Sequence, residues 1–329
     1  MPSLLEEGAM RAVRFHEHGD ESVLQVDEVP DPEPADDEVV IAVESASVNP
    51  VDTYFRSGSY EPFTMPMIPG VDAAGIVESV GEEVGDFESG DRAIATGLGS
   101  NHFGGYAEQV AVPTDRIAHL SDDVDLVEAG AAGVAAVTSW RALIDHAGVE
   151  PAEHCLIHGG SGGVGHAAVQ IAAAAGANVI TTAAPRYHDR LESLGADVVL
   201  DYSRDDLTEA VRESSDGGVE ATMDHRLDDY MQFDAEVAAH GGRVVGIGEN
   251  DPAAGFQDDS PARSKELRFQ FMSMFNTPQL ADPLERVASL LGSGDLTIEV
   301  AETYSLEEAA DAQRAVMDES FLGKLTITP

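Results

Sequence analysis

Cysteine is nearly absent from this chain: Cys155 is the only one in 329 residues. That excludes a disulfide framework and any zinc site built on several thiolates. One thiol in an apolar strand reads instead as buried and inert. Basic residues are also scarce. Lysine and arginine number 18 against 61 acidic residues, a formal net charge of −43, and Lys265 and Lys324 are the only lysines. A surface of that sign rejects nucleic acid and anionic membranes. No uninterrupted apolar run reaches membrane-spanning length, and no basic segment with an apolar core opens the chain, so a cytoplasmic location is expected. Aromatic residues are few, at 6%, yet 43% of the chain is apolar and falls into strand and helix periods, which argues against a disordered acidic protein.

What is present is glycine, 32 residues in all, and one placement of it is informative. The run His154-Cys-Leu-Ile-His-Gly-Gly-Ser-Gly-Gly-Val-Gly165 reads as a short apolar strand, a glycine loop and the start of a small-residue helix. Within it Gly160, Gly162 and Gly165 satisfy G-x-G-x-x-G in register, with Ser161, Gly163 and Val164 between them. Such a loop turns the chain, lets phosphates approach the backbone and lets helix pack on strand, while the first helical turn offers free N–H groups to an anion. Further strands are expected at 178–182, 197–200, 219–223 and 243–247, with helical patterns between them. Strands alternating with helices imply an α/β, doubly wound parallel sheet of the Rossmann type with right-handed crossovers. The same residues also fit Gly159-x-Ser161-x-Gly163, a hydrolase nucleophile elbow, with Asp224 and His240 as available triad partners. That alternative explains neither Gly165 nor the second strand ending at Thr182.

The acidic excess resembles that of proteins from salt-accumulating halophiles, whose carboxylates work where salt shortens the Debye length to about 3 Å. Acidic clusters such as 31–38 and 122–125 read as solvated turns. The length suits two domains. Residues 1–133 are β-rich and residues 277–329 return to helix and strand, so 134–276 is expected as a nucleotide-binding insertion in a second, barrel-like domain, with substrate in the cleft between them. Residues 1–9 precede what looks like the natural first strand and read as a frayed extension or an upstream start.

From Met10 onward the chain resembles the medium-chain dehydrogenase/reductase superfamily, and within it the zinc-independent quinone oxidoreductases related to ζ-crystallin. The likeness rests on Ala46-Ser-Val-Asn-Pro-Val-Asp-Thr-Tyr54, Pro69-Gly-Val-Asp-Ala-Ala-Gly-Ile-Val77, Val84-Gly-Asp-Phe-Glu-Ser-Gly-Asp-Arg92, Gly104-Gly-Tyr-Ala-Glu108, Thr138-Ser-Trp-Arg-Ala-Leu143, the glycine loop through Gln170, and Tyr304-Ser-Leu-Glu-Glu-Ala-Ala310. It implies a GroES-like β-barrel catalytic domain carrying the Rossmann insertion. It also implies hydride transfer from NADP(H) to a quinone or conjugated carbonyl. Reduction of an enal or enone double bond, or a non-catalytic NADPH-binding role as in the crystallins, are the alternatives.

Zinc members of the superfamily hold a metal on Cys, His and Cys. Here those motif positions are Asn49, Val71 and Val134 or its neighbour, and a valine has no lone pair to give. The resemblance points instead to Asn49, Asp52 and Tyr54 as catalytic residues. Asn49 and Tyr54 could donate to a reduced oxygen; Asp52 would orient the cofactor or Tyr54. Thr138 would lie beside the nicotinamide, and Gly246, Ile247 and Lys324 would complete the cofactor site. After Thr182 stands Ala-Ala-Pro-Arg186 in place of the acid that NAD enzymes usually present to the ribose, and Tyr202 matches a position that contacts a 2′-phosphate, so NADP(H) is expected. Two departures from the pattern are Ala173, where relatives carry a basic residue, and the bulky Asp224-His-Arg226, where relatives carry small residues. A homodimer through an edge strand at 267–271 is the expected assembly.

Overall fold

The computed structural model describes residues 8–99 and 101–329, so the expected leader lies outside the described residues as far as residue 7. The chain divides into two compact units. One comprises residues up to Val134 with Pro278–Gly294 and Ile298–Pro329, the other Ala135–Thr277 with Asp295–Thr297.

The second unit is built on a six-stranded sheet in the order Val198–Leu200, Asn178–Thr182, His154–Ile157, Val219–Asp224, Ala238–Gly246, Arg268–Phe271. Every pairing in it is parallel. Its inner strands bury consecutive residues, at Cys155–Ile157, Val179–Thr182 and Ala221–Asp224, as both faces of such a sheet are covered. The helix Gly163–Ala174 and the helix His188–Ser193 stop at Gly176 (φ 84°) and Gly195 (φ 109°), where only glycine takes the left-handed backbone without strain. In chain order the strands run 3-2-1-4-5-6, so the order reverses between His154–Ile157 and Val219–Asp224. The carboxyl ends of those two strands open the crevice where ligands of such sheets bind.

One strand departs from expectation. That foreseen at 243–247 begins at Ala238 and ends at Gly246, with a register irregularity opposite Val219/Ala221 and Gly241 at φ 77°. The glycine pair 241–242 breaks the apolar run and hides the strand's first half from a periodicity reading. Residues 268–271 do form the edge, with Phe271 exposed.

The first unit carries a seven-stranded sheet. Its path is Val300–Ser305, Lys324–Thr328, Glu38–Val48, Asp72–Val80, Arg92–Thr96, Ile117–His119, with Gln109–Pro113 also paired to Glu38–Val48. Apart from the parallel pair at its start, neighbours are antiparallel. Val39, Ile41, Ala73, Val77, Val110 and Leu325 fill its core. This is the GroES-like barrel that the family resemblance implies. Among the described residues no helix is long and apolar enough to cross a membrane.

Candidate functional site

The glycine loop sits at the point where strand order reverses. After Ile157 the chain turns at Gly159 (φ 69°) and enters the helix Gly163–Ala174 with Gly162 as N-cap. The glycines have different reasons to be there. A Cβ on Gly160 would lie 2.2 Å from Thr181 Oγ1, and one on Gly165 would lie 2.1 Å from the Gly159 carbonyl oxygen. Strand, loop and helix therefore pack too closely at both positions for any side chain. Gly162 is exposed at φ −73°, and a Cβ there would meet only the Gly159 oxygen at 3.4 Å. Nothing in the protein demands glycine at 162. Its bare Cα leaves open space before the first-turn N–H groups, the room a diphosphate needs.

The neighbouring strand braces this loop. Gly159 N donates to Thr182 Oγ1 at 3.1 Å and Gly160 N to the Thr182 carbonyl at 2.9 Å. Ser139 Oγ, beside Thr138 on the helix Leu126–Trp140, donates to the Val164 carbonyl at 2.9 Å. Thr138 itself is buried. Further residues expected at the cofactor site follow the carboxyl ends of the same sheet. Arg186 is exposed with its guanidinium 4.7 Å from the Tyr187 ring centroid, and Tyr202 is 54% exposed. Gly246 ends its strand, and Ile247 N donates to the Asp224 carbonyl at 2.8 Å. The unusual His225 lies against the loop, its Cε1 only 2.7 Å from where a Gly159 Cβ would be, and Arg226 pairs with Asp229.

In the first unit the structure corrects three expectations. The helix Pro50–Ser57 starts with Asn49 as N-cap and Pro50 at its first position. Asp52 is wholly buried and accepts from Asn49 N at 2.9 Å, Val71 N at 3.1 Å, Gly70 N at 3.2 Å and Tyr106 Oη at 3.2 Å. It therefore orients the backbone on both sides of the helix start, and its hydroxyl partner is Tyr106 in place of Tyr54. Residues two apart on a helix point away from each other, which sends Asp52 inward and Tyr54 outward. Tyr54 is 36% exposed, its ring edge-on to Tyr60 at 5.6 Å.

The second correction concerns Asn49. Its two Nδ2 hydrogens are committed to Ser47 Oγ at 2.6 Å and Asp72 Oδ2 at 3.1 Å, and its Oδ1 accepts from Lys324 Nζ. A saturated amide has no donor left for a substrate oxygen. Lys324 is the third. It is 5% exposed and belongs to the first unit, where Nζ donates to the Val48 carbonyl at 3.0 Å as well as to Asn49. Burial lowers its pKa and raises that of Asp72, each opposed by the charge of the other. Lys324 thus fixes the Asn49 amide and is not displayed as a cofactor ligand.

Asp72 was not legible as a site residue. Fully buried, it also accepts from Ser47 Oγ, from Thr96 Oγ1 at 2.6 Å and from Val134 N at 2.8 Å. Asp52 and Asp72 together tie down Asn49, Val71 and Val134, which by the family resemblance match zinc-ligand positions, the third being Val134 or its neighbour. A carboxylate within the apolar run Val71-Asp-Ala-Ala is the signal that could have marked it. Among the described residues no group of three His, Cys, Asp or Glu is placed to hold a metal ion. Cys155 is buried and its thiol is pushed up to about 12, which makes it inert. The hydrolase alternative fails on topology. Ser161 follows the carboxyl end of its strand while His240 lies near the amino end of a parallel one, so they stand at opposite ends of the sheet's strands.

Two family models match the chain: an alcohol dehydrogenase GroES-like domain over residues 35–122 and a zinc-binding dehydrogenase over 194–327. A quinone oxidoreductase from Lama guanicoe is 33% identical over 311 residues, covering 92% of each chain. Among solved structures, Escherichia coli quinone oxidoreductase complexed with NADPH aligns with TM-score 0.85 and 28% identity over 97% of this chain and 100% of that one. An NAD-dependent alcohol dehydrogenase aligns with TM-score 0.91 and 27% identity over 97% and 100%. With the strand order, the glycine loop and these likenesses in agreement, the chain belongs to the quinone oxidoreductase family of the medium-chain dehydrogenases/reductases.

Proposed function

We propose that this protein is an NADPH-dependent oxidoreductase that reduces a quinone or a similar conjugated carbonyl without a metal. The observation that carries the reading is Gly162: an exposed Cα with no packing reason to be bare, at a helix N-terminus, at the point where strand order reverses. The bound coenzyme would supply the hydride. The protein's part is to hold, orient and stabilise. Amides from Gly163 to Gly165 would bind the diphosphate, with Thr182 keeping the loop in shape and Thr138 beside the nicotinamide. Arg186 would form a charge-assisted contact with the 2′-phosphate, with Tyr202 beside it, and the stretch from Thr182 to Arg186 offers no carboxylate to select NAD. Tyr54 would donate to the negative charge developing on the acceptor oxygen. Asn49, Asp52 and Lys324 would act behind it as positioning groups.

In this reading 134–276 is the coenzyme domain, and 1–133 with 277–329 the catalytic one, of a cytoplasmic homodimer. Zinc independence is supported by Val71 and Val134, which offer no lone pair, and by an Asn49 amide already saturated. The net charge of −43 supports work in molar salt, where carboxylate repulsion is screened. The test is NADPH oxidation in molar KCl with a quinone, an enone and an aldehyde in parallel. Turnover of the quinone supports the proposal; turnover of the enone alone assigns double-bond reduction instead. Coenzyme binding without turnover of any acceptor assigns the crystallin-like role.

A further inference from the structure

Among the described residues, three buried polar atoms at the base of the glycine loop meet no hydrogen-bond partner: His158 Nδ1, Asp224 Oδ2 and Asp234 Oδ2. His158 follows the first strand of the sheet and Asp224 ends the fourth, the two strands between which the order reverses. Asp234 reaches them from the helix Leu227–Val237. His158 Nε2 lies 2.8 Å from Asp234 Oδ1, and Asp224 Oδ1 accepts from Arg226 N at 2.7 Å. Each carboxyl group thus has one oxygen satisfied and one left over. The two groups are hydrogen-bonding neighbours. An ionised carboxylate only accepts, so two of them facing each other cannot satisfy the remaining oxygens, whereas a proton on one provides the missing donor.

We propose that Asp224 and Asp234 share a single proton, and that this carboxyl–carboxylate pair, anchored to His158, positions the glycine loop. The inference rests on the coenzyme reading of that loop. The mechanical link is short. Asp224 fixes the turn that presents His225 to Gly159, and its carbonyl receives Ile247 N at 2.8 Å. Tyr230 stacks on His158 at 4.4 Å and 3°, and Phe233 closes its edge at 5.6 Å, so water has little access to the pair. The other titratable or charged groups facing the cluster are His225, Arg226 with its partner Asp229, and Tyr230. Burial pushes Asp224 up to about 7 and Asp234 up to about 8, while it drives His158 down to about 4, so the proton rests on the carboxyls with the imidazole neutral. Loss of that proton would set two charges against each other in a dry interior. The turn and the loop packed on it would then move apart.

Asp224→Asn offers a sharp test, because the amide keeps the acceptor for Arg226 N and replaces the shared proton with a permanent N–H donor. Asp234→Asn does the same from the other side while keeping an acceptor for His158. Infrared difference spectra of coenzyme-free protein in molar KCl should show a neutral-carboxyl carbonyl band in the wild type that each variant lacks. NADPH and NADH affinities, read by fluorescence, should both weaken about tenfold between about pH 7 and about pH 9 in the wild type, the equivalent of one pK unit of coupling. In both variants the affinities should stay flat. The proposal is overturned if neither variant removes a carboxyl band, or if the variants keep the wild-type pH profile. A band that disappears as expected, with no coenzyme bound at any pH, overturns the coenzyme reading and leaves the shared proton standing.

Discussion

Replacing Gly162 with alanine separates a glycine kept for a ligand from a glycine kept for the fold. The new methyl would meet only the Gly159 carbonyl oxygen at 3.4 Å, and the backbone at φ −73° is one that alanine adopts freely. The protein's own cost is then that of exchanging glycine for alanine at an N-cap, at most about 1 kcal/mol. For the coenzyme the methyl stands between phosphate oxygens and the amides. Losing one hydrogen bond to a charged group, worth about 1.5–3 kcal/mol, weakens binding roughly 10- to 150-fold. Gly165→Ala is the control, because its methyl would lie 2.1 Å from the Gly159 oxygen and 2.9 Å from the Gly160 Cα, all backbone that must shift. Overpacking of that kind costs about 1–3 kcal/mol, of which improved helix propensity returns about 1. Thermal unfolding in molar KCl, with NADPH fluorescence titration of the same samples, reads both effects. Gly162→Ala should melt near the wild type and bind poorly, whereas Gly165→Ala should melt lower. A Gly162→Ala protein that binds NADPH as the wild type does would refute the argument.

Arg186→Ala should weaken NADPH about tenfold or more while changing NADH little, since only the former carries the 2′-phosphate; equal effects on the two would overturn the NADP(H) assignment. Tyr54→Phe should lower kcat for the quinone about a hundredfold, the value of a single donor to a developing oxyanion, and unchanged turnover would remove Tyr54 from the mechanism. Asp52 makes stability depend on pH. Burial pushes it up to about 7, against about 3.9 for an unfolded chain, so between those values only the folded state keeps the proton. Stability present at low pH is therefore lost as pH rises from about 4 to about 7, on the order of 4 kcal/mol from this group. Melting curves across that range should fall less steeply in Asp52→Asn, and an identical slope would contradict the burial argument.

The parallel sheet was legible because short strand-like runs such as 155–157 and 179–182 alternate with helical patterns closed by Gly176 and Gly195, and because Gly160, Gly162 and Gly165 fix one register. The exception is instructive: Gly241 and Gly242 lie inside a strand, so the residue that marked helix ends elsewhere concealed a strand's beginning. Site residues were less legible. Asn49, Asp52 and Lys324 were expected from the family resemblance, and sequence does not tell whether a polar group is already satisfied by its neighbours. Asn49 proves saturated, Asp52 faces the core and Lys324 is enclosed beside it. Asp72, Asp234 and His158 escaped notice for the complementary reason. For each the partner comes from an element 23 or more residues away, Asn49 for Asp72 and His158 for Asp234 at a separation of 76.

The central claim is that the amides of the glycine loop hold a nicotinamide coenzyme, and calorimetric titration of the native protein in molar KCl with NADPH and then NADH tests it most directly. The account predicts saturable binding of one coenzyme per chain, tighter for NADPH. Absence of heat with both coenzymes, from a sample whose circular dichroism shows it folded, would contradict it.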